Sequence, residues 1–473
     1  MKLPSVLHNY QLKIHLLWGL LALNIFCAVF AVFYSGLMID DDIEHLRAAY
    51  FVNLGEIPYV DFFEHHHFLL WYLLAAVLKI VPHDALLVLF FGRLISLAVS
   101  AIGGYYIYKI VKNFIGGQFC ALICLNLYFW GLGECSLSGL FNIKPDIYQR
   151  AGFFVGLYYL FCYFRYIKLR DLLKCGLVWC ICFLFLQTTV FFVFPLVIPI
   201  IYFINKHPQK WKDFLIAAIV PVIIIASCAI ALWHCDMWQT YFEQNWRLNS
   251  ILAKIWLINP PQKIMIMADL LLFAFGSLIY LLYKKKWNIY LLSLSCCFIS
   301  EFLLQILTGG GENQRYFILL SIYAAMLGSL GITKAAKHYN SVIICFILGG
   351  LLYVVTAIMA IRSDLRISDD NKNVEFDNSI VFSAHTSFYW MHVVVVEGIH
   401  DVYFGHDHDY NINDVLRLSK PSFIIYDWET LYDLALTALQ PDDSQKEILL
   451  NHKIDQSVLD TYRKISELMY IRN

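Results

Sequence analysis

MIDDDIEHLRAAYFVNLGEIPYVDFFEHHHFLLWY, residues 38–72, is the stretch on which the reading of this chain turns. It sits between two apolar runs. Its first part carries Asp40, Asp41, Asp42, Glu44 and His45, and its second carries Asp61, Glu64, His65, His66 and His67. Ionisable groups this close to hydrocarbon are costly, which makes a function the default reading. Over 41–54 the spacing predicts a helix, with Ile43, Leu46, Tyr50 and Leu54 as an apolar stripe and Asp41, Glu44 and His45 sharing another face. Such a helix is expected to lie on the bilayer surface with its acids toward water. Gly55 is expected to end it, and Pro58 to keep it from resuming. Asp41 and Glu44 also fit a capping box, and acids suit a helix N-terminus. That alternative explains one acid in isolation, not two clusters in a single loop. A metal reading of the three histidines also stands open, although consecutive residues rarely all face one ion.

Hydrophobic residues make up 60% of the 473, charged residues 15%, and the mean hydropathy is +0.61. This composition excludes a soluble enzyme with one anchor and predicts an all-α polytopic membrane protein. With a net charge of -1 there is no basic excess to suggest a nucleic-acid partner. Most of the cysteines, Cys120, Cys124, Cys180 and Cys182 among them, sit in apolar runs as small hydrophobes and show no disulfide or zinc pattern.

Lys2 and Lys13 precede a first span at 16–37, which is too long for a signal peptide. They place the N-terminus in the cytoplasm and the acidic loop, 38–84, outside. The apolar segment 68–81 falls short of the roughly 20 residues a crossing needs. It is therefore expected to be an interfacial or re-entrant helix within a long first outer loop. Later spans are expected near 86–108, 119–133, 153–166 and 214–233, with a hairpin around 187–189 and a last crossing at 342–361, about eleven in all. The inner loops then hold Lys109, Arg165, Lys174, Lys210, Lys284 and Lys334, as the positive-inside rule asks, and the acids lie outside the spans. Residues 1–361 form this membrane module. From 362 to 473 the chain is polar and expected to be a small extracytoplasmic α/β domain, with strands near 380–382 and 423–426 and helices near 429–439 and 456–469. No repeat, phosphate-binding glycine loop or nucleophile elbow is present in the sequence.

Asp41-Asp42-Ile43-Glu44-His45, followed by Gly55, Pro58-Tyr59, Asp61-Phe62 and Glu64-His65-His66, resembles the membrane glycosyltransferases of the GT-C class. The likeness is to bacterial family 39 and aminoarabinose-transferase enzymes, cousins of the protein O-mannosyltransferases and oligosaccharyltransferases. In that class an acidic motif in the first outer loop supplies an essential aspartate, which the resemblance places at Asp41, with Asp42 where glutamate is commoner. Lys144-Pro145-Asp146 is similar to an Arg-Pro-Asp element of the second outer loop, and Arg315-Tyr316 to a late basic–aromatic pair. His66-His67-Phe68-Leu69 departs from the family's proline-containing turn.

The resemblance implies a sugar donor linked to polyprenyl phosphate, a site on the outer face of a bacterial inner membrane, and an acceptor that is a lipid such as lipid A, a glycan or a protein. Asp41 would be the base of an inverting transfer. Asp42, Glu44, His45, Glu64, His65, His66 and Asp146 would support it or bind substrate, and Lys144, Arg150, Arg247, Arg315 and Tyr316 would meet phosphate. A divalent ion, Mg²⁺ or Mn²⁺, held by Asp41 and Asp146 is compatible with oxygen ligands. Two other classes stay open: a transporter or flippase, which would place acids mid-span on broken helices, and a noncatalytic envelope assembly protein.

Overall fold

The computed structural model describes residues 10–34, 40–60, 64, 66–80, 85–135, 137–247, 268–285, 287–307 and 318–370, with four short strands beyond. In chain order the helices are α1 (Tyr10–Tyr34), α2 (Asp40–Leu54), α3 (Leu69–Leu78), α4 (Ala85–Ile110), α5 (Gly117–Cys135), α6 (Pro145–Tyr166), α7 (Leu169–Phe185) and α8 (Thr189–Val193). They continue as α9 (Val197–Lys206), α10 (Trp211–His234), α11 (Trp238–Tyr241), α12 (Ala268–Tyr283), α13 (Ile289–Leu307), α14 (Ile318–His338) and α15 (Asn340–Asp370). Among the described residues, 7 helical stretches are long and apolar enough to cross a membrane: Tyr10–Phe33, Leu87–Ile115, Thr189–Lys206, Pro208–His234, Ile289–Ile306, Ile318–His338 and Asn340–Met359. α3, with 10 residues, extends only about 15 Å, half the hydrocarbon thickness.

The chain divides into two compact units, one of residues 1–35, 93–227 and 256–363, the other of 36–92, 228–255 and 364–473. In the first, helices surrounded by lipid cannot rely on hydrophobic burial to associate, so close approach and interhelical hydrogen bonds do that work. Asn24 on α1 donates to Asn126 on α5 at 3.0 Å. The left-handed Ile167 (φ 53°) turns α6 into α7. Gly156 then leaves room for the Trp179 indole, whose N–H donates to the Phe153 carbonyl at 3.2 Å; a methyl at Gly156 would overlap the ring. α14 lies at the centre, with 78% of its apolar window buried against 11% for α10. Arg93 is fully enclosed, 3.4 Å from the Val32 carbonyl and with its guanidinium over the Phe141 ring.

The hairpin expected around 187–189 is present, but its second arm is broken. α8 and α9 are separated by a tight turn at Phe194–Leu196 that contains Pro195. The expectation that the acids lie outside the spans needs correcting. Glu301, on α13, is inside a candidate span and only 8% exposed. Its neighbours in sequence are apolar, and one polar residue in a run does not disturb a hydropathy average.

In the second unit, α2 follows the helix expected over 41–54, and Gly55 (φ 94°) ends it in the left-handed conformation that suits glycine. Its orientation differs from expectation. Asp42 and His45 are fully enclosed beside Leu46, Ala48 and Ala49, whereas Leu54 is exposed. Packing of α2 against α3 uses the small-residue face, and that face carries polar groups inward. The strands are β1 (Val393–Val395), β2 (Phe423–Ile425), β3 (Tyr462–Ser466) and β4 (Met469–Arg472), in the order β1-β2-β4-β3. β1 runs parallel to β2, and β4 pairs antiparallel with both β2 and β3. β2 matches the strand expected at 423–426. β3 lies where a helix was expected over 456–469, because the aromatic and β-branched residues Tyr462, Ile465, Tyr470 and Ile471 favour a pleated pair. The segments 380–382 and 429–439 lie outside the described residues.

Candidate functional site

The site is assembled within the second unit from α2, the loop after it, α3 and the turn at Phe242–Arg247. After Gly55 the chain reaches Tyr59, a fully buried residue held at φ 69°, a conformation that costs energy for a side chain of this size. Its hydroxyl donates to the His66 carbonyl at 2.6 Å, closing the loop on itself. Gln244, in the π-helical turn, clamps the other side. Its amide donates to the Tyr59 carbonyl at 3.2 Å, and its oxygen accepts from the Glu64 N–H at 3.1 Å.

This scaffold brings four predicted site residues together. His66 Nδ1 lies 3.5 Å from a Glu44 carboxylate oxygen and 3.9 Å from one of Glu64. The His45 ring stands edge-on to the His66 ring, with centroids 4.9 Å apart. Trp71 on α3 donates its indole N–H to His45 Nδ1 at 3.1 Å, which places the proton of a neutral His45 on Nε2. Glu64 is 1% exposed. Burial pulls the His66 pKa down, but the Glu44 and Glu64 carboxylates outweigh it and raise it to about 10, so His66 is an imidazolium at neutral pH. Next to it, burial and then the His66 charge lower His67 to about 3, so His67 is neutral. His67 Nε2 lies 3.4 Å from the Tyr241 hydroxyl, which accepts from the Trp246 indole at 3.2 Å.

One ligand atom each from Glu44, His45 and His66 lie within 4.8 Å of one another, a spacing a metal ion could bridge. Two nitrogens and one oxygen suit Zn²⁺ or Mn²⁺ better than Mg²⁺. The hydrogen bonds favour a different occupant: His66 carries a proton between two carboxylates, and His45 Nδ1 is engaged by Trp71. An ion here would have to displace those protons.

Asp41 lies on α2 one helical turn before Glu44 and His45. Asp42, one residue on, is on the enclosed side. Lys144 and Asp146 flank Pro145 at the start of α6 in the first unit, where Arg150 donates to the Gly139 carbonyl at 3.0 Å. Arg247 is mostly exposed and paired with Glu243 at 3.0 Å. His65, Arg315 and Tyr316 lie outside the described residues. Sequence reasoning quoted Tyr59 only as part of the Pro58-Tyr59 motif and missed Trp71, Tyr241 and Gln244. The one signal for them was the adjacent amide pair Gln244-Asn245 inside a tryptophan-rich segment.

No protein-family model and no curated protein matches the sequence. Solved structures do. ArnT from Cupriavidus metallidurans bound to undecaprenyl phosphate is similar with a TM-score of 0.55 at 10% identity, over 88% of this chain and 94% of that one. In its fold, the chain resembles a GT-C glycosyltransferase. The apo ArnT structure gives a TM-score of 0.49 at 9% identity, over 68% of this chain and 60% of that one. The Archaeoglobus fulgidus oligosaccharyltransferase complex with Zn and sulfate gives 0.44 at 11%, over 73% of this chain and 53% of that one.

Proposed function

We propose that this chain is an integral membrane glycosyltransferase that moves a sugar from a polyprenyl-phosphate donor to an acceptor hydroxyl or amine, on a lipid such as lipid A, a glycan or a protein. The observation that carries the reading is the Glu44–His66–Glu64 cluster, half-buried around an enclosed Glu64, on and just after the helix that follows the first candidate span. The fold likeness to ArnT, crystallised with undecaprenyl phosphate, supports a lipid-linked donor. In the proposed topology about eleven helices cross the inner membrane, with the N-terminus in the cytoplasm and 38–84 and 362–473 outside.

Asp41 is the proposed base. The acceptor oxygen or nitrogen attacks the anomeric carbon as its proton passes to Asp41, and the bond to the phosphate oxygen breaks with its electron pair leaving on the phosphate. A phosphate leaves without a strong proton donor, so the second carboxylic acid that glycosidases need is dispensable. A single displacement inverts the anomeric centre. In this proposal Glu44, His45, Glu64 and His66 fix the position of α2 and face the acceptor or donor sugar, joined by Asp42 and His65. Lys144, Arg150, Arg247, Arg315 and Tyr316 are the proposed phosphate contacts, arginine being suited to forked binding. Where the reaction uses a divalent ion, the candidates are Mg²⁺ or Mn²⁺, and loss of activity on chelation would reveal it.

The test compares envelope glycolipids and glycans of a deletion strain with those of the rescued strain by mass spectrometry. Loss of one glycosyl increment on deletion and its return on rescue are expected; identical profiles would refute the reading. A transporter is favoured by one observation, Glu301 inside a span, and predicts redistribution of a solute or lipid with no change in glycan mass.

A further inference from the structure

Glu301 opens onto a cavity of about 230 Å³ in the first unit. Its walls are Phe191, Phe192, Phe194 and Pro195 from the broken α8–α9 segment, Cys297, Ser300, Leu303 and Leu304 from α13, and Leu319 and Tyr323 from α14. Among the described residues, Glu301 is the only carboxyl in the lining, and no Lys, Arg or His lines it. Gln305, one turn on, donates its amide to Glu301 Oε1 at 2.7 Å, a neutral partner that orients the carboxyl without matching its charge. Phe191, Phe194 and Leu303 are exposed, so the mouth opens where lipid chains would be. Irregular backbone at membrane depth is tolerated where it lines a cavity, and the Phe194–Leu196 turn does so here.

We propose that this cavity binds the ammonium head of an amphipathic primary amine that enters sideways from the lipid. Three features select that chemistry. Burial makes the charged form of a carboxyl costly, a cation arriving beside it offsets that cost, and among the described residues the lining supplies none. Several aromatic rings face the same space, and ring faces attract ammonium groups. The carboxylate repels phosphate, so the head of a polyprenyl phosphate is rejected, and a plain alkyl chain would leave the carboxyl unmatched. Phe191, Phe194 and Leu303 at the mouth hold the alkyl chain of the ligand. The site is independent of the sugar-transfer proposal, because binding can be read without turnover.

The test uses the full chain in a nonionic maltoside detergent, with n-dodecylamine and n-dodecanol as probes and ligand-induced thermal stabilisation as the readout at pH 7. Dodecylamine should stabilise the protein saturably and bind more tightly than dodecanol. Glu301→Gln, which keeps the shape and the Gln305 contact, should weaken the amine by about tenfold or more, the step expected for one lost charged hydrogen bond, and leave the alcohol unchanged. Should Glu301→Gln fail to fold, the exposed Phe191→Ala and Phe194→Ala variants serve, each lowering amine affinity several-fold. Equal binding of amine and alcohol by the wild type, or amine binding that none of the three substitutions weakens, overturns the proposal.

Discussion

Glu64 and Glu301 are both buried carboxyls in a chain with few charges to spare, and their surroundings are opposite. Glu64 shares an imidazolium with Glu44, and the loop that carries it is tied down by Tyr59 and Gln244. Glu301 has an amide for a neighbour and an open aromatic cavity in front. The first arrangement satisfies its own charge and therefore holds a shape. The second leaves charge matching to something that arrives. The difference teaches that burial of an acid does not by itself define a site. Where the compensating cation belongs to the protein, the acid positions the elements around it, and where it does not, the acid is left to a ligand.

Substitutions at the histidine cluster should break this contrast most strongly. His66→Ala removes the cation shared by Glu44 and Glu64 and should lower stability by about 3 kcal/mol, the lower end for removing one partner of a buried pair, since His66 keeps some surface in water. Adding Glu64→Gln to His66→Ala should recover much of that loss in a double-mutant cycle, because the orphaned charge is then gone. A purely additive result would mean that the pair is not coupled.

The pH dependence sharpens the point. His66 has its pKa raised in the folded state from 6.5 to about 10, so its contribution is full below pH 6.5 and lost as pH rises through about 10. His67 is lowered to about 3, so its contribution is present above pH 6.5 and lost as pH falls toward about 3. Thermal unfolding across this range should lose its alkaline slope in His66→Gln and its acid slope in His67→Asn. Trp71→Phe, which removes the donor to His45 and trims a fully buried ring, should cost about 2 kcal/mol by the same assay. Smallest of all, Glu243→Gln at the exposed Arg247 pair should change stability by less than about 0.5 kcal/mol.

Much of this was legible in the sequence because the membrane imposes long-range regularities. The first span, the helix at 40–54, its glycine stop and the shortness of α3 all follow from hydropathy, helical spacing and residue chemistry. The grouping of Glu44 and His45 was legible for the same reason. Their orientation was not: a helix with Ala48 and Ala49 on one face can turn that face inward and take Asp42 and His45 with it, and periodicity alone ranks the apolar stripe first. Nothing in the apolar spacing of α3 singles out Trp71, whose indole meets His45. Gln244 acts across 180 residues of separation, and no local pattern encodes such a contact. Glu301 was hidden by averaging. β3 was misread because five residues with two apolar positions fit either period.

The central claim is that the acidic helix after the first span performs a chemical step rather than holding the fold. A deletion strain rescued with wild type or with Asp41→Asn, at matched expression, tests it through the mass spectra of its envelope glycans and glycolipids. Loss of a general base should slow transfer by about 10²–10⁴-fold, so the wild type should restore the missing glycosyl increment and Asp41→Asn should leave it absent. Full restoration by Asp41→Asn would contradict the account.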